Sequence, residues 1–202
     1  MATVDEPEPY PRTKAIALSA IFAALLSVSS VVSIPLPITP VPVTLQVFVV
    51  LLLAAVLGPA YGALSCVIYL LLGALGLPVY AGAGSGVPVL LGPLGGYLFG
   101  FPAAVLLGGL LSARRAESAK RDLLRVCASA FVALSVIYLL GVVWLSAFLH
   151  VGLYRGFVLG ALPFIPVDAA KAAISVPVAV RIRWSGLDLP VVGRRDARGP
   201  PA

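Results

Sequence analysis

Apolar residues fall into six long runs along this chain: Lys14 to Ile34, Val43 to Leu57, Tyr61 to Leu77, Leu94 to Leu111, Leu123 to Leu149 and Phe157 to Val180. A helix of about 20 mostly apolar residues crosses a bilayer. The pattern therefore predicts an all-α integral membrane protein built as a six-transmembrane-helix bundle, its second run on the short side. Between the first two runs Pro35, Pro37, Pro40 and Pro42 break the helix and make an uncharged connector. Gly58-Pro59 turns the chain, Pro78 to Gly92 is glycine-rich and uncharged, and Ala113 to Asp122 is the one strongly charged interior loop. Non-helical backbone near a membrane is tolerated where protein covers it or where it lines a cavity. The connectors 35–42 and 78–92 are thus expected to fold over the bundle and cap a cavity from outside. Residues 1–202 read as one membrane domain: a disordered tail over 1–12, the bundle over 14–180 and a basic tail over 181–202.

Composition agrees. The chain is 60% apolar and 11% charged with mean hydropathy +1.07, against about 25% charged residues in a soluble domain. No room is left for a sizeable soluble domain. Met1 to Pro11, polar, acidic and proline-rich, does not read as a cleavable signal peptide. Cys66 and Cys127 lie in apolar runs and read as small buried hydrophobes.

The net charge of +6 matters by where it lies. Six spans put Arg12, Lys14, the basic residues of loop 113–122 with adjacent Arg125, and Arg181, Arg183, Arg194, Arg195 and Arg198 on one side. The other side holds only Arg155. Lys and Arg concentrate on the cytoplasmic side of membrane proteins, so both termini are expected in the cytoplasm. By this division Asp168 and Lys171 are the only charges within any span. Ionisable residues at bilayer depth cost roughly 2.5–3.5 kcal/mol on insertion scales and are read first as functional. Spaced i, i+3, the two share a helix face, while Pro163 and Pro166 would leave the carbonyls of Leu159 and Leu162 without their usual donors. A structural salt bridge is the duller reading of the pair.

Other features point away from chemistry. Gly82-Ala-Gly-Ser-Gly86 lacks the Gly-Lys-Ser/Thr and the preceding strand of a phosphate loop; it reads as a flexible lid over a small ligand. His150 reads as an interfacial residue. No Ser/His/Asp, Cys/His or metal-ligand constellation occurs, so neither catalysis nor a cofactor is expected. Ala20 and Ala24, with Ala23 and Ser27 in register, form a small-xxx-small pattern that lets helices approach closely in lipid. Gly73, Gly76, Gly108 and Gly109 read as packing positions.

Four blocks, in order, carry a resemblance: Pro35-Leu-Pro-Ile-Thr-Pro-Val-Pro-Val-Thr-Leu-Gln46, Leu71-Leu-Gly-Ala-Leu-Gly-Leu-Pro-Val-Tyr80, Leu91-Gly-Pro-Leu-Gly-Gly-Tyr-Leu-Phe-Gly-Phe101 and Pro163-Phe-Ile-Pro-Val-Asp-Ala-Ala-Lys171. Together they resemble the BioY family, the biotin-binding substrate components of energy-coupling factor transporters. The resemblance spans about Ala15 to Val180. It implies a six-helix bundle in a bacterial-type cell membrane that captures biotin from outside, with partners in a transmembrane coupling protein and two ATPases. It also implies that the Pro-x-Asp-x-x-Lys motif, on Pro166, Asp168 and Lys171, hydrogen-bonds the ligand. Gln46 and Tyr97 are further ligand candidates, Tyr80 and Ser85 belong to the lid, and Ala20 and Ala24 dock the coupling protein. A substrate component for another vitamin and a stand-alone secondary transporter stay open beside it.

Overall fold

A computed structural model of the chain describes residues 11–187 and 189–190. The expected tail 1–12 lies outside these except for Pro11 and Arg12, where α1 (Arg12–Val31) begins, and Arg194, Arg195 and Arg198 also lie outside them. α1 leads into two strands, β1 (Ser33–Leu36) and β2 (Thr39–Thr44), and then α2 (Gln46–Val56) and α3 (Gly58–Ala74). A 3-10 turn at Ala81–Ala83 and α4 (Val87–Leu91) follow, then α5 (Gly95–Leu111), α6 (Ala119–Phe148), α7 (Leu153–Gly160) and α8 (Ile165–Arg183).

The all-α expectation is corrected at the proline-rich connector. It is an antiparallel hairpin, with Ser33 opposite Thr44, Ile34 opposite Val43 and Leu36 opposite Thr39. Proline excludes helix here, yet the residues among and beside the prolines include Ile34, Ile38, Thr39, Val41, Val43 and Thr44, which fit a pleated strand. In a two-stranded ribbon both strands are edges, and edges tolerate a residue without an N–H. Because the hairpin takes Val43 and Thr44, the second helix keeps 11 residues, about 16 Å at ~1.5 Å per residue. That is too short for a bilayer core of about 30 Å. α2 is instead the protein's own centre, with Gln46 and every residue from Val49 to Val56 buried. Among the described residues α1 and α6 are long and apolar enough to cross a membrane. α7 and α8 make a third span if taken together across a 52° bend.

Small residues set the closest packing. A side chain at Gly96 would overlap Trp144, and one at Gly108 would stand 2.7 Å from the Ser129 carbonyl, so α5 and α6 meet nearly backbone to backbone. Without a hydrophobic drive between helices in lipid, such close approach is what holds them. Gly73 packs beneath the Tyr80 ring and Gly109 against Gly58 and Pro59, as expected. Gly76 differs: nothing lies within 4 Å of its would-be side chain, and its φ of +101° shows that it is needed for a turn.

Asp168 and Lys171, expected as the only charges within a span, are not the only buried pair: a second stands at the other end of the bundle, just beyond the predicted spans. Asp122 and Arg183 are both fully buried. The Arg183 guanidinium donates from Nε to Asp122 Oδ2 at 2.8 Å and from Nη2 to Oδ1 at 2.9 Å, and from Nη1 to the carbonyls of Ala55 and Ser112. Asp122 also accepts from the Ala116 amide and from Trp184 Nε1. One ion pair thus ties the ends of α2, α5, α6 and α8. It escaped notice because Asp122 lies in a run of loop charges and Arg183 at the head of a basic tail, where solvation is the ordinary fate.

Candidate substrate-binding site

The final helix does not run through from Phe157. Pro163 falls in a break, and Pro166 takes the second position of α8, where its missing donor would have had no partner anyway. The break is closed by a turn, in which Phe157 O accepts from the amides of Ala161 and Leu162, and Ala161 O from those of Phe164 and Ile165; the carbonyls of Leu159 and Leu162, expected to be bare, accept none of these four amides. Gly160 O, displaced from the helical ladder, accepts from the Tyr97 hydroxyl at 2.7 Å. A side chain at either Gly160 or Gly141 would collide with that tyrosine, so Tyr97 is locked between α6 and the break.

The break places Asp168 in the first turn of α8, where the helix dipole favours an anion. Asp168 is 4% exposed. Lys171, one turn on, donates to its Oδ1 at 2.6 Å, and Tyr138 of α6 donates to Oδ2 at 2.7 Å. Both carboxylate oxygens are therefore engaged, one by a cation and one by a phenol. Facing them, the end of β2 and the start of α2 supply a second polar group. Thr44 donates its hydroxyl to Gln46 Oε1 at 3.1 Å, and Gln46 Nε2 donates to the Tyr69 hydroxyl at 2.6 Å.

Between these walls lies a narrow cleft of about 60 Å³, partly open to the outside, tighter than the usual small-molecule site of about 300–1,000 Å³. Its remaining lining is apolar, from Val41 and Val47 through Leu98 and Phe101 to Ile137 and Phe164. An apolar slot with an ion pair on one wall and an amide on the other suits a small ligand with a hydrocarbon body and polar ends. The ammonium has three donors and the amide two donors and an acceptor, which leaves capacity beyond the bonds just named.

Asp168, Lys171, Gln46 and Tyr97 are brought together around this cleft. Tyr80 and Ser85 are not. Tyr80 is fully buried beside it, its ring edge-on to Tyr69 at 5.6 Å and its hydroxyl donating to Leu70 O at 2.6 Å. Ser85 is exposed. Of the glycine-rich connector it is Ala81 that lines the cleft, and the connector is pinned: Ser30 donates to Val79 O and the Gly86 amide to Gly73 O. Sequence reasoning missed Tyr138, Thr44 and Tyr69. Tyr138 had a partial signal, since a buried carboxylate needs its remaining lone pairs satisfied, but the apolar runs hold many hydroxyls and nothing in the sequence singles this one out.

The chain matches the BioY family over residues 3–186. It is 45% identical over 172 residues to the probable biotin transporter BioY of Pyrococcus horikoshii, covering 85% of this chain and 98% of that protein. To the biotin transporter BioY of Thermotoga maritima it is 42% identical over 163 residues, covering 81% and 92%. Among solved structures it resembles the S-component for biotin from an ECF-type ABC transporter, with a TM-score of 0.74 and 28% identity over 85% of this chain and 92% of that one. A bundle whose polar groups converge on one apolar cleft, matched along nearly its whole length, places this chain in the BioY family.

Proposed function

We propose that this chain is the biotin-binding substrate component of an energy-coupling factor transporter, working as one membrane unit that takes biotin from outside. The observation that carries the reading is the doubly engaged Asp168 carboxylate in a largely apolar cleft. Biotin offers an apolar bicycle and chain for the slot, ureido N–H groups for Asp168, and a ureido oxygen or a carboxylate for Lys171. Gln46 and Tyr97 line the same space, and Tyr80 anchors the connector above it. Biotin is the transported ligand, and no cofactor enters the scheme. Purified protein should bind radiolabelled biotin and, from a panel of other vitamins, no competitor. Displacement by another vitamin instead would reassign the ligand.

The six-span arrangement, with both termini cytoplasmic in a bacterial-type cell membrane, belongs to this proposal. The shorter α2, α3 and α5 fit it because α2 faces protein rather than lipid. Cysteines placed at Ser118 and Ser85, in a background lacking Cys66 and Cys127, should be labelled from opposite sides; labelling of Ser118→Cys in intact cells by an impermeant reagent would reverse the orientation.

Delivery inward is assigned to partners, a transmembrane coupling protein and ATPase subunits, docking on α1. Ala20 and Ala24 are exposed there while Ala23 is buried. The first pair thus faces outward and the in-register residue Ala23 packs within. Ala20→Leu/Ala24→Leu should bind biotin normally yet fail to co-purify with the coupling protein and fail in ATP-driven uptake. Intact uptake would move the docking face elsewhere, and uptake in cells lacking every coupling subunit would make the chain a transporter on its own.

A further inference from the structure

Away from the cleft, α6 and α8 leave an apolar groove between them on the outer surface, lined by Leu123, Cys127 and Phe131 on one side and Ala173, Val176 and Pro177 on the other. At one end the two helices are tied by Asp122 and Arg183. Two residues from each partner stand Lys120 and Arg181, both exposed. Two residues turn about 200° around a helix, so these cations lie on the outer sides of helices whose inner sides hold the ion pair. Register agrees. Lys120 precedes Leu123 by one turn and Cys127 by two, and Arg181 follows Pro177 by one turn and Ala173 by two. The groove therefore ends between two cations. Among the described residues neither side chain has an ion-pair or hydrogen-bond partner.

Depth fits as well. α6 has 30 residues, about 45 Å at ~1.5 Å per residue, against a hydrocarbon core of about 30 Å. Its first turn, with Lys120, thus stands at headgroup level when Phe131 is among acyl chains. We propose that the α6–α8 groove binds one anionic phospholipid, an acyl chain lying against Phe131 and Pro177 and the phosphate between Lys120 and Arg181. An apolar partner helix in the same groove would leave both cations without a counter-charge; a phosphodiester supplies one.

The test is native mass spectrometry of the purified full chain exposed to phosphatidylglycerol or phosphatidylcholine. Wild type should retain phosphatidylglycerol in preference. Lys120→Ala/Arg181→Ala should weaken that retention roughly 30-fold, the usual contribution of one basic residue at an anionic surface taken twice. Ala173→Phe, which fills the groove without altering charge, should lose both lipids. Arg121→Ala/Arg125→Ala, with the same charge removed from another face of α6, should behave as wild type. Equal retention of the two lipids by wild type, or equal losses in the two double variants, would overturn the proposal. Should Lys120→Ala/Arg181→Ala not elute as a monodisperse helical protein, Lys120→Gln/Arg181→Gln carries the same comparison.

Discussion

Lys171→Ala is expected to abolish high-affinity biotin binding while leaving the protein inserted and helical. The substitution removes the donor proposed for the ligand, and it also strips Asp168 of its counter-charge at a site where the carboxylate is 4% exposed. Breaking one side of a buried ion pair costs about 3–5 kcal/mol, which corresponds to a loss of roughly two to three orders of magnitude or more if it falls on the binding-competent state. Asp168→Ala should be as severe, because it removes the acceptor and leaves both the ammonium and the Tyr138 hydroxyl unmatched. Tyr138→Phe grades the effect. It removes a neutral donor from a charged acceptor, worth about 1.5–3 kcal/mol, so binding should weaken by roughly tenfold to a hundredfold. Equilibrium binding of radiolabelled biotin to detergent-purified variants decides the matter. Near-normal affinity in Lys171→Ala would reduce the pair to a structural salt bridge.

Arg183→Ala should unfold the bundle at a markedly lower temperature than wild type. It leaves Asp122 fully buried without its cation, and it also orphans the carbonyls of Ala55 and Ser112. A loss of about 3–5 kcal/mol in a chain of this size is a drop on the order of 10 °C in Tm, read by thermal unfolding in detergent. Replacing both partners with apolar residues, as in Asp122→Leu/Arg183→Met, should recover part of that loss, since a matched pair of apolar side chains leaves no bare charge. If the double variant is less stable than Arg183→Ala alone, the two charges act independently and the pair is not the clamp described.

The two ion pairs differ in how readily the sequence shows them, and the reason is physical. Asp168 and Lys171 stand alone in an apolar run, so bilayer energetics single them out without any tertiary information. Asp122 and Arg183 sit among other charges, 61 residues apart, and only the fold brings them out of water. The first five helical runs followed from hydropathy; the break between α7 and α8 did not, and neither did the hairpin, because four prolines argue against a helix without arguing for a strand. The motif residues Gln46, Tyr97, Asp168 and Lys171 converge on one cleft. Tyr80 and Ser85 were assigned by their place in a glycine-rich segment. There the backbone carries Ala81 to the cleft, turns Tyr80 inward against Tyr69 and leaves Ser85 outside. No spacing rule reports that choice. Tyr138 shows the converse limit, since it contacts Asp168 from a helix 30 positions away in sequence.

The long separation of Asp122 from Arg183 also has a consequence for how the protein is made. A chain emerging from its N-terminus delivers Asp122 to the membrane surface before its partner exists. At about 5–20 residues per second, the 61 residues between them correspond to a wait of about 3–12 s. Throughout that interval the first turn of α6 must keep its carboxylate hydrated, with the ends of α2 and α5 unlatched beside it. The latch closes only when the last turn of α8 has been synthesised, so a nascent chain halted short of Arg183 carries an exposed anion at the seam, a mark by which unfinished molecules differ from finished ones.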